Sequence, residues 1–153
     1  MELGVKHKNL MKVLVLLLCL SACNASVSDQ EVIPMPSLPE SGMATVIGRV
    51  ISNKTNEPIP HTIVRLAEVV RDDDDEGIYV LDLAFSPGAM TDEMGIFIFE
   101  NIDAIEYVIV VGDIESIHEI ISDDSGIPRT WNAQPDDILQ VGDFFVLLEP
   151  TQP

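Results

Sequence analysis

Apolar residues follow two different rhythms along this chain. Near the start, Val13 to Leu20 is an unbroken apolar run of eight residues behind Lys6, Lys8 and Lys12. Residues 24–43 then show neither a helical nor a strand period and are rich in Ser and Pro, with Pro34, Pro36 and Pro39 among them. Beyond them, short β-branched runs separated by turn residues predict strands. Thr45–Ile51 alternates, with Val46 and Val50 on one face and Ile47 and Ile51 on the other. Ser52–Pro60 reads as a long turn. Thr62–Val70 predicts a second strand with Arg65 interrupting it, and Ile78–Phe85 a third, ended by Ser86-Pro87-Gly88. Ile96–Phe99 and Tyr107–Val111 predict buried strands, and Phe144–Leu148 closes the series. Ile114–Ile121 fits a helical face by spacing and a strand by β-branching, and composition tips it toward strand. The pattern predicts an all-β fold, a single antiparallel β-sandwich, over 44–149.

The short apolar run ends in Leu20-Ser21-Ala22-Cys23. It is too short to span a bilayer, which takes roughly 20 apolar residues. Basic start, short apolar run and small residues before a cysteine resemble a bacterial lipoprotein signal peptide with its lipobox. The resemblance implies cleavage after Ala22 and a diacylglyceryl group on Cys23. An ordinary secretory leader with a coincidental cysteine is the alternative, and it leaves more of the pattern unexplained. The chain then divides into a leader (1–22), a lipidated Cys23 with a flexible tether (23–43), the sandwich (44–149) and a short tail (150–153). Two acyl chains would anchor stably where one is marginal. A tether of this length spans on the order of 25 Å as a flexible coil. Cys19 would leave with the leader, so no internal disulfide is available and the core alone must hold the domain. The expected location is a bacterial cell envelope, lipid-anchored and facing outside the cytoplasm.

The whole chain has 8 Lys+Arg against 26 Asp+Glu. Loss of Lys6, Lys8, Lys12 and Glu2 with the leader leaves 5 against 25, near −20. That charge disfavours nucleic acid and anionic headgroups. With 46% apolar residues, this is not the signature of a disordered acidic chain.

One segment carries a longer pattern: Thr91-Asp92-Glu93-Met94-Gly95-Ile96-Phe97-Ile98-Phe99, then Ile105-Glu106-Tyr107 and an apolar strand. With Ile47-Gly48-Arg49-Val50, Pro58-Ile59-Pro60 and Thr62–Leu66 upstream, it resembles the carboxypeptidase regulatory-like family, whose fold is the transthyretin-like (prealbumin-like) β-sandwich, over about 44–112. The family's glycine two residues before the tyrosine is Ile105 here, and Met94 stands where Asp or Asn is commoner. The residues explain the motif physically. Gly95 takes a left-handed turn without steric cost, and Asp92 accepts amides of the same turn. Phe97 and Phe99 share the core face, and Tyr107 buries its ring while its hydroxyl finds a partner at the edge. The resemblance implies an accessory module without catalytic residues, and no cofactor is expected.

Reactive constellations are few. His61 and His118 are 57 positions apart and fit neither the iron set of intradiol dioxygenases nor the zinc set of carboxypeptidases. No Gly-x-Ser-x-Gly elbow occurs. The run Asp72-Asp73-Asp74-Asp75-Glu76-Gly77 offers Ca²⁺ candidates at Asp72, Asp74 and Glu76, joined by Asp123 and Asp124 if their loops meet. A solvated hairpin tip is the simpler reading. Trp131 either packs a loop or anchors a ligand, and packing is expected of it. The function expected is a non-catalytic module that contacts an unknown envelope protein or glycan, held at the bilayer through acylated Cys23. A Ca²⁺-dependent adhesion module is the alternative and a small hydrolase the third reading. Pairing of an open sheet edge with a partner is a further expectation.

Overall fold

The structure, a computed structural model, describes residues 35–148. Cys23, the leader and the first part of the expected tether lie outside the described residues. Nine strands and no helix make up the described residues: β1 (Met43–Ser52), β2 (Ile63–Arg71), β3 (Gly77–Val80), β4 (Gly88–Met90), β5 (Ile96–Asp103), β6 (Glu106–Gly112), β7 (His118–Ile120), β8 (Thr130–Asn132) and β9 (Asp137–Val146).

They form two sheets. The smaller has the order β5-β1-β9. The larger has the order β3-β2-β6-β7, with β4 also paired to β2 and β8 to β6. Along β2, Ile63–Arg65 face β4 and Glu68–Arg71 face β3, so these two short strands share one side of the sheet. β7 and β8 divide the side of β6 in the same way.

The core lies between the sheets. Val46, Val50, Phe97, Phe99, Phe144 and Val146 enter it from the smaller sheet. Val64, Leu66, Tyr107, Ile109, Val111 and Trp131 enter it from the larger. Ring contacts run from Phe99 to Phe97 (5.7 Å between centroids), Phe97 to Phe144 (6.0 Å) and Phe144 to Trp131 (5.5 Å). Gly48 leaves the space that Phe97 and Val141 occupy, since a Cβ there would sit 2.6 Å from each.

The fold is all-β and two-layered, as the pattern predicts; β4 and β8 are short strands that no pattern marked, and four predicted features differ. First, the sandwich is not purely antiparallel: β1 pairs with β9 in parallel along Ala44–Ser52. A hairpin cannot join parallel neighbours, and here the whole domain between them serves as the crossover. Second, the predicted strand Ile78–Phe85 stops at Val80. Asp82 Oδ1 accepts the amides of Ala84 (2.7 Å) and Phe85 (3.2 Å) and turns the chain into β4. Third, the last strand starts at Asp137 instead of Phe144. Fourth, Ile114–Ile121 is neither helix nor one strand: a turn over Asp113–Ile117 precedes the three residues of β7.

The end of the expected tether lies against the domain. The amides of Ser37, Glu40 and Gly42 donate to the side chains of Glu100 (3.1 Å), Asn101 (2.7 Å) and Asp136 (2.8 Å).

Candidate functional site

The acidic residues first identify themselves as turn formers. Asp92 Oδ1 accepts the amides of Met94 (2.9 Å) and Ile96 (2.8 Å), while Gly95 N–H donates to Asp92 O and Asp92 N–H to Ile96 O. The same four bonds recur at Asp72–Glu76, with Asp74 and Glu76 amides at 3.0 and 2.9 Å from Asp72 Oδ1. They recur again at Asp123–Ile127, with Ser125 and Ile127 amides at 2.8 and 3.0 Å. Asp113–Ile117 is a close variant: Asp113 Oδ1 accepts Glu115 N–H (3.0 Å) and Oδ2 accepts the Ser116 hydroxyl (3.1 Å). One short aspartate-led turn thus closes four tips. It satisfies amides that a tight turn would otherwise leave unpaired.

This bears on the Ca²⁺ candidates. Asp72, Asp74 and Glu76 lie in the β2–β3 turn, and Asp123 and Asp124 in the β7–β8 turn, at opposite sides of the larger sheet. The two loops do not meet. Among the described residues no group of three or more His, Cys, Asp or Glu is placed to hold a metal ion.

The motif residues fill structural positions. Gly95 has φ +73°. Buried Thr91 donates its hydroxyl to Ile59 O (2.8 Å) and accepts Thr62 N–H (2.9 Å). Tyr107 donates to Asp103 O (2.9 Å), and burial, with Asp103 and Glu68 nearby, pushes its phenol up to about 12. Trp131 is 9% exposed, packs on Phe144 and carries Arg129 5.1 Å over its ring. It is a core residue, not an exposed ligand anchor.

The cations are mostly paired. Arg71 grips Glu106 through two bonds (2.7 and 2.8 Å), which raises the guanidinium and, with Thr130, lowers the carboxyl. Arg49 meets Asp143 in the same bidentate fashion.

Two surfaces stand out. One is the β3 side of the larger sheet. Asp72–Glu76 is a hydrogen-bonded pair, so bonded pairs recur at Val70–Ile78 and Glu68–Val80. That leaves the backbone groups of Gly77 and Tyr79 facing away from β2. Ile78, Val80 and Tyr79 beside them are 67%, 45% and 41% exposed.

The other is a groove of about 670 Å³ at the start of β2 and the end of β6. Ile63, Arg65, Met90, Leu83, Ile117 and Leu147 line it, along with Lys54, His61, Asp113 and Ser116. His61, Asp113 and Ser116 together are the residue types of a hydrolytic triad, yet they are not wired as one. The Ser116 proton is directed at Asp113, and His61 Nε2 lies 3.1 Å from Glu93. His118 is exposed on β7 and does not line the groove. In the sequence pattern Arg65 stands out only as a charged interruption of the strand Thr62–Val70. The available signal was a guanidinium at an alternate position to the core residues Val64 and Leu66.

No family model matches the chain, and no curated protein does. Solved structures with a similar course include a candidate carbohydrate-binding protein from Pseudomonas aeruginosa (18% identity, 72% of this chain and 97% of that one, TM-score 0.42). The major pilin subunit of Bacillus cereus is another (12% identity, 65% of this chain, TM-score 0.37), and this chain spans 29% of its length. A third is a 9R-lipoxygenase from Cyanothece (13% identity, 79% of this chain and 19% of that one, TM-score 0.37). Nothing about function follows from likeness at this level, and the architecture rests on the strand pairings above.

Proposed function

We propose that the chain is a lipid-anchored envelope protein whose sandwich, a divergent relative of carboxypeptidase regulatory-like modules, is a non-catalytic binding module for a protein partner. The observation that carries the binding role is the β3 edge, whose backbone groups have no pairing strand among the described residues and lie beside exposed Ile78, Tyr79 and Val80. Such an edge takes up an added strand by main-chain hydrogen bonds, with alternate side chains giving selectivity. The acidic turn Asp72–Glu76 at its end favours a partner segment flanked by basic residues. A protein partner is favoured by the free main-chain groups of the edge, and Trp131, in the core, gives a glycan no stacking surface. The family reading is supported by the Thr91–Phe99 hairpin, folded with Gly95 left-handed and both phenylalanines inward. The anchor reading is supported by Leu20-Ser21-Ala22-Cys23 behind a short apolar run.

The test is photo-crosslinking in intact cells from a probe at Tyr79, with mass spectrometry of the purified protein's N-terminus. The expected result is a diacylated Cys23 and one dominant crosslinked protein, lost in Gly77→Pro, which removes an outward-facing N–H and leaves the bonds of Ile78 and Val80 to β2 in place. An intact Met1, or a crosslinking pattern unchanged in that variant, would overturn the proposal.

A further inference from the structure

We infer that the groove beside Arg65 binds a carboxylate that carries an aliphatic body. The inference is independent of the edge-pairing role. Three described arginines are engaged: Arg49 and Arg71 hold carboxylates in bidentate fashion, and Arg129 lies over Trp131. Arg65, half-buried on β2, has no hydrogen bond or ion pair among the described residues. In a chain of net charge −18, a half-buried guanidinium without a carboxylate partner is the exception, because a partly desolvated charge is stabilised by pairing.

The cradle is shaped for that guanidinium. Gly88 is the cross-strand partner of Arg65, and a Cβ there would come within 3.3 Å of Nη1. Gly88 is not among the residues with positive φ, so the backbone does not require glycine there. What glycine provides is room for Arg65 to lie flat over β4.

The walls supply the second half of the argument. Met90, Leu83, Ile117 and Leu147 are all more exposed than buried or close to it, and all four line this groove. Exposed aliphatic side chains gathered around one unpaired cation match a ligand with an apolar body and an anionic head. A planar guanidinium recognises a carboxylate by two parallel bonds. Asp113 also lines the groove, but its carboxylate is turned to the Glu115 amide and the Ser116 hydroxyl and makes no ion pair with Arg65. A volume of about 670 Å³ holds a small molecule or the last few residues of a peptide. The two sources are a free fatty acid and a peptide C-terminus.

The test uses the full chain and ligand-observed NMR titration with four probes: hexanoate, hexanol, acetyl-Gly-Leu-Leu as the acid, and the same peptide as the amide. At least one acid is expected to bind, with its uncharged twin about tenfold weaker or more, and Arg65→Gln is expected to erase that difference. Binding of hexanoate alone assigns a free acid, and binding of the peptide acid alone assigns a C-terminus. Gly88→Val, which keeps Arg65 but crowds its cradle, should weaken the same acid. Failure of both acids, equal binding of acid and uncharged twin, or acid binding unchanged in both variants would each overturn the inference. Phosphate competing as well as the acids would do so too, by showing an anion site with no use for the aliphatic walls.

Discussion

The turns at Asp92–Ile96 and Asp72–Glu76 have the same hydrogen bonds and opposite surroundings. In both, the fourth residue is left-handed: Gly95 at φ +73° and Asp75 at φ +65°. Gly95 is buried against the β1–β2 connection, where a Cβ would lie 2.4 Å from Val50 O and 3.2 Å from Pro58 Cβ. Asp75 is exposed. One local geometry therefore serves two purposes. The inner turn pins the two sheets together, and the outer one closes a hairpin. Local hydrogen bonding builds the shape, but the surroundings decide what a substitution costs.

The largest expected effect breaks the inner turn. Gly95→Ala forces a side chain onto left-handed backbone and into the carbonyl of Val50, which is itself held by Ile59 N–H at 3.0 Å. A cost of about 3 kcal/mol or more is expected, read as a lowered midpoint in urea. Asp75→Ala, the matching change in the outer turn, should cost about 1 kcal/mol or less. Equal losses at the two positions would abolish the distinction.

Thr91 ties the inner turn to the rest of the core. Thr91→Val leaves the buried Thr62 amide and Ile59 carbonyl without partners, for roughly 2 to 4 kcal/mol by denaturant melt. Thr45 gives the internal control. Its hydroxyl is buried without a partner among the described residues, so Thr45→Val should be neutral or stabilising.

How much of this was legible beforehand follows from the same contrast. The Asp92 turn is readable because its fourth position is glycine and an alternating Ile-Phe strand follows. At Asp72 and Asp113 the fourth residue is Asp75 or Ser116, and the acids there read as charge before they read as turns. At Asp123 the fourth position is Gly126, but Ile127-Pro128-Arg129 after it does not alternate as a strand, so the turn is not marked from both sides. β9 was found only at its end, because Gln140, Gly142 and Asp143 break the apolar period in a strand exposed along much of its length. Its parallel pairing with β1 depends on partners about ninety positions apart, which no local pattern encodes. Arg65 was visible as a residue, but its lack of a partner is a property of the assembled sheets.

The β5–β6 turn offers an intermediate case. It is closed by Tyr107, whose hydroxyl bonds Asp103 O from inside the core. The folded phenol at about 12 lies above its ordinary value of 10, so the native state holds the proton more tightly than the unfolded chain does. The resulting stabilisation is complete below pH 10 and is lost as pH rises from 10 to about 12. It amounts to about 2 to 3 kcal/mol. Tyr107→Phe should remove that alkaline dependence from a series of urea melts. The acid limb behaves the other way. Glu106 is held below its ordinary value by Arg71 and Thr130. Its contribution is present above its unfolded pKa and fades as pH falls through the lower folded one.

The smallest effect is the sharpest test of the comparison, because it predicts a gain. Asp75 holds a left-handed conformation that glycine adopts freely, and nothing packs on its exposed side chain. Its carboxylate lies 3.7 Å from Arg71, a contact that solvent screens and that Arg71 does not need, given its two short bonds to Glu106. Asp75 also adds one negative charge to a run of five acids. Asp75→Gly should therefore stabilise by about 0.5 to 1 kcal/mol, net of the chain entropy that glycine adds to the unfolded state. The gain should shrink in high salt by the share that comes from relieved repulsion. A loss instead of a gain would mean that the Arg71 contact outweighs backbone strain, and that the outer turn is held by charge where the inner one is held by packing.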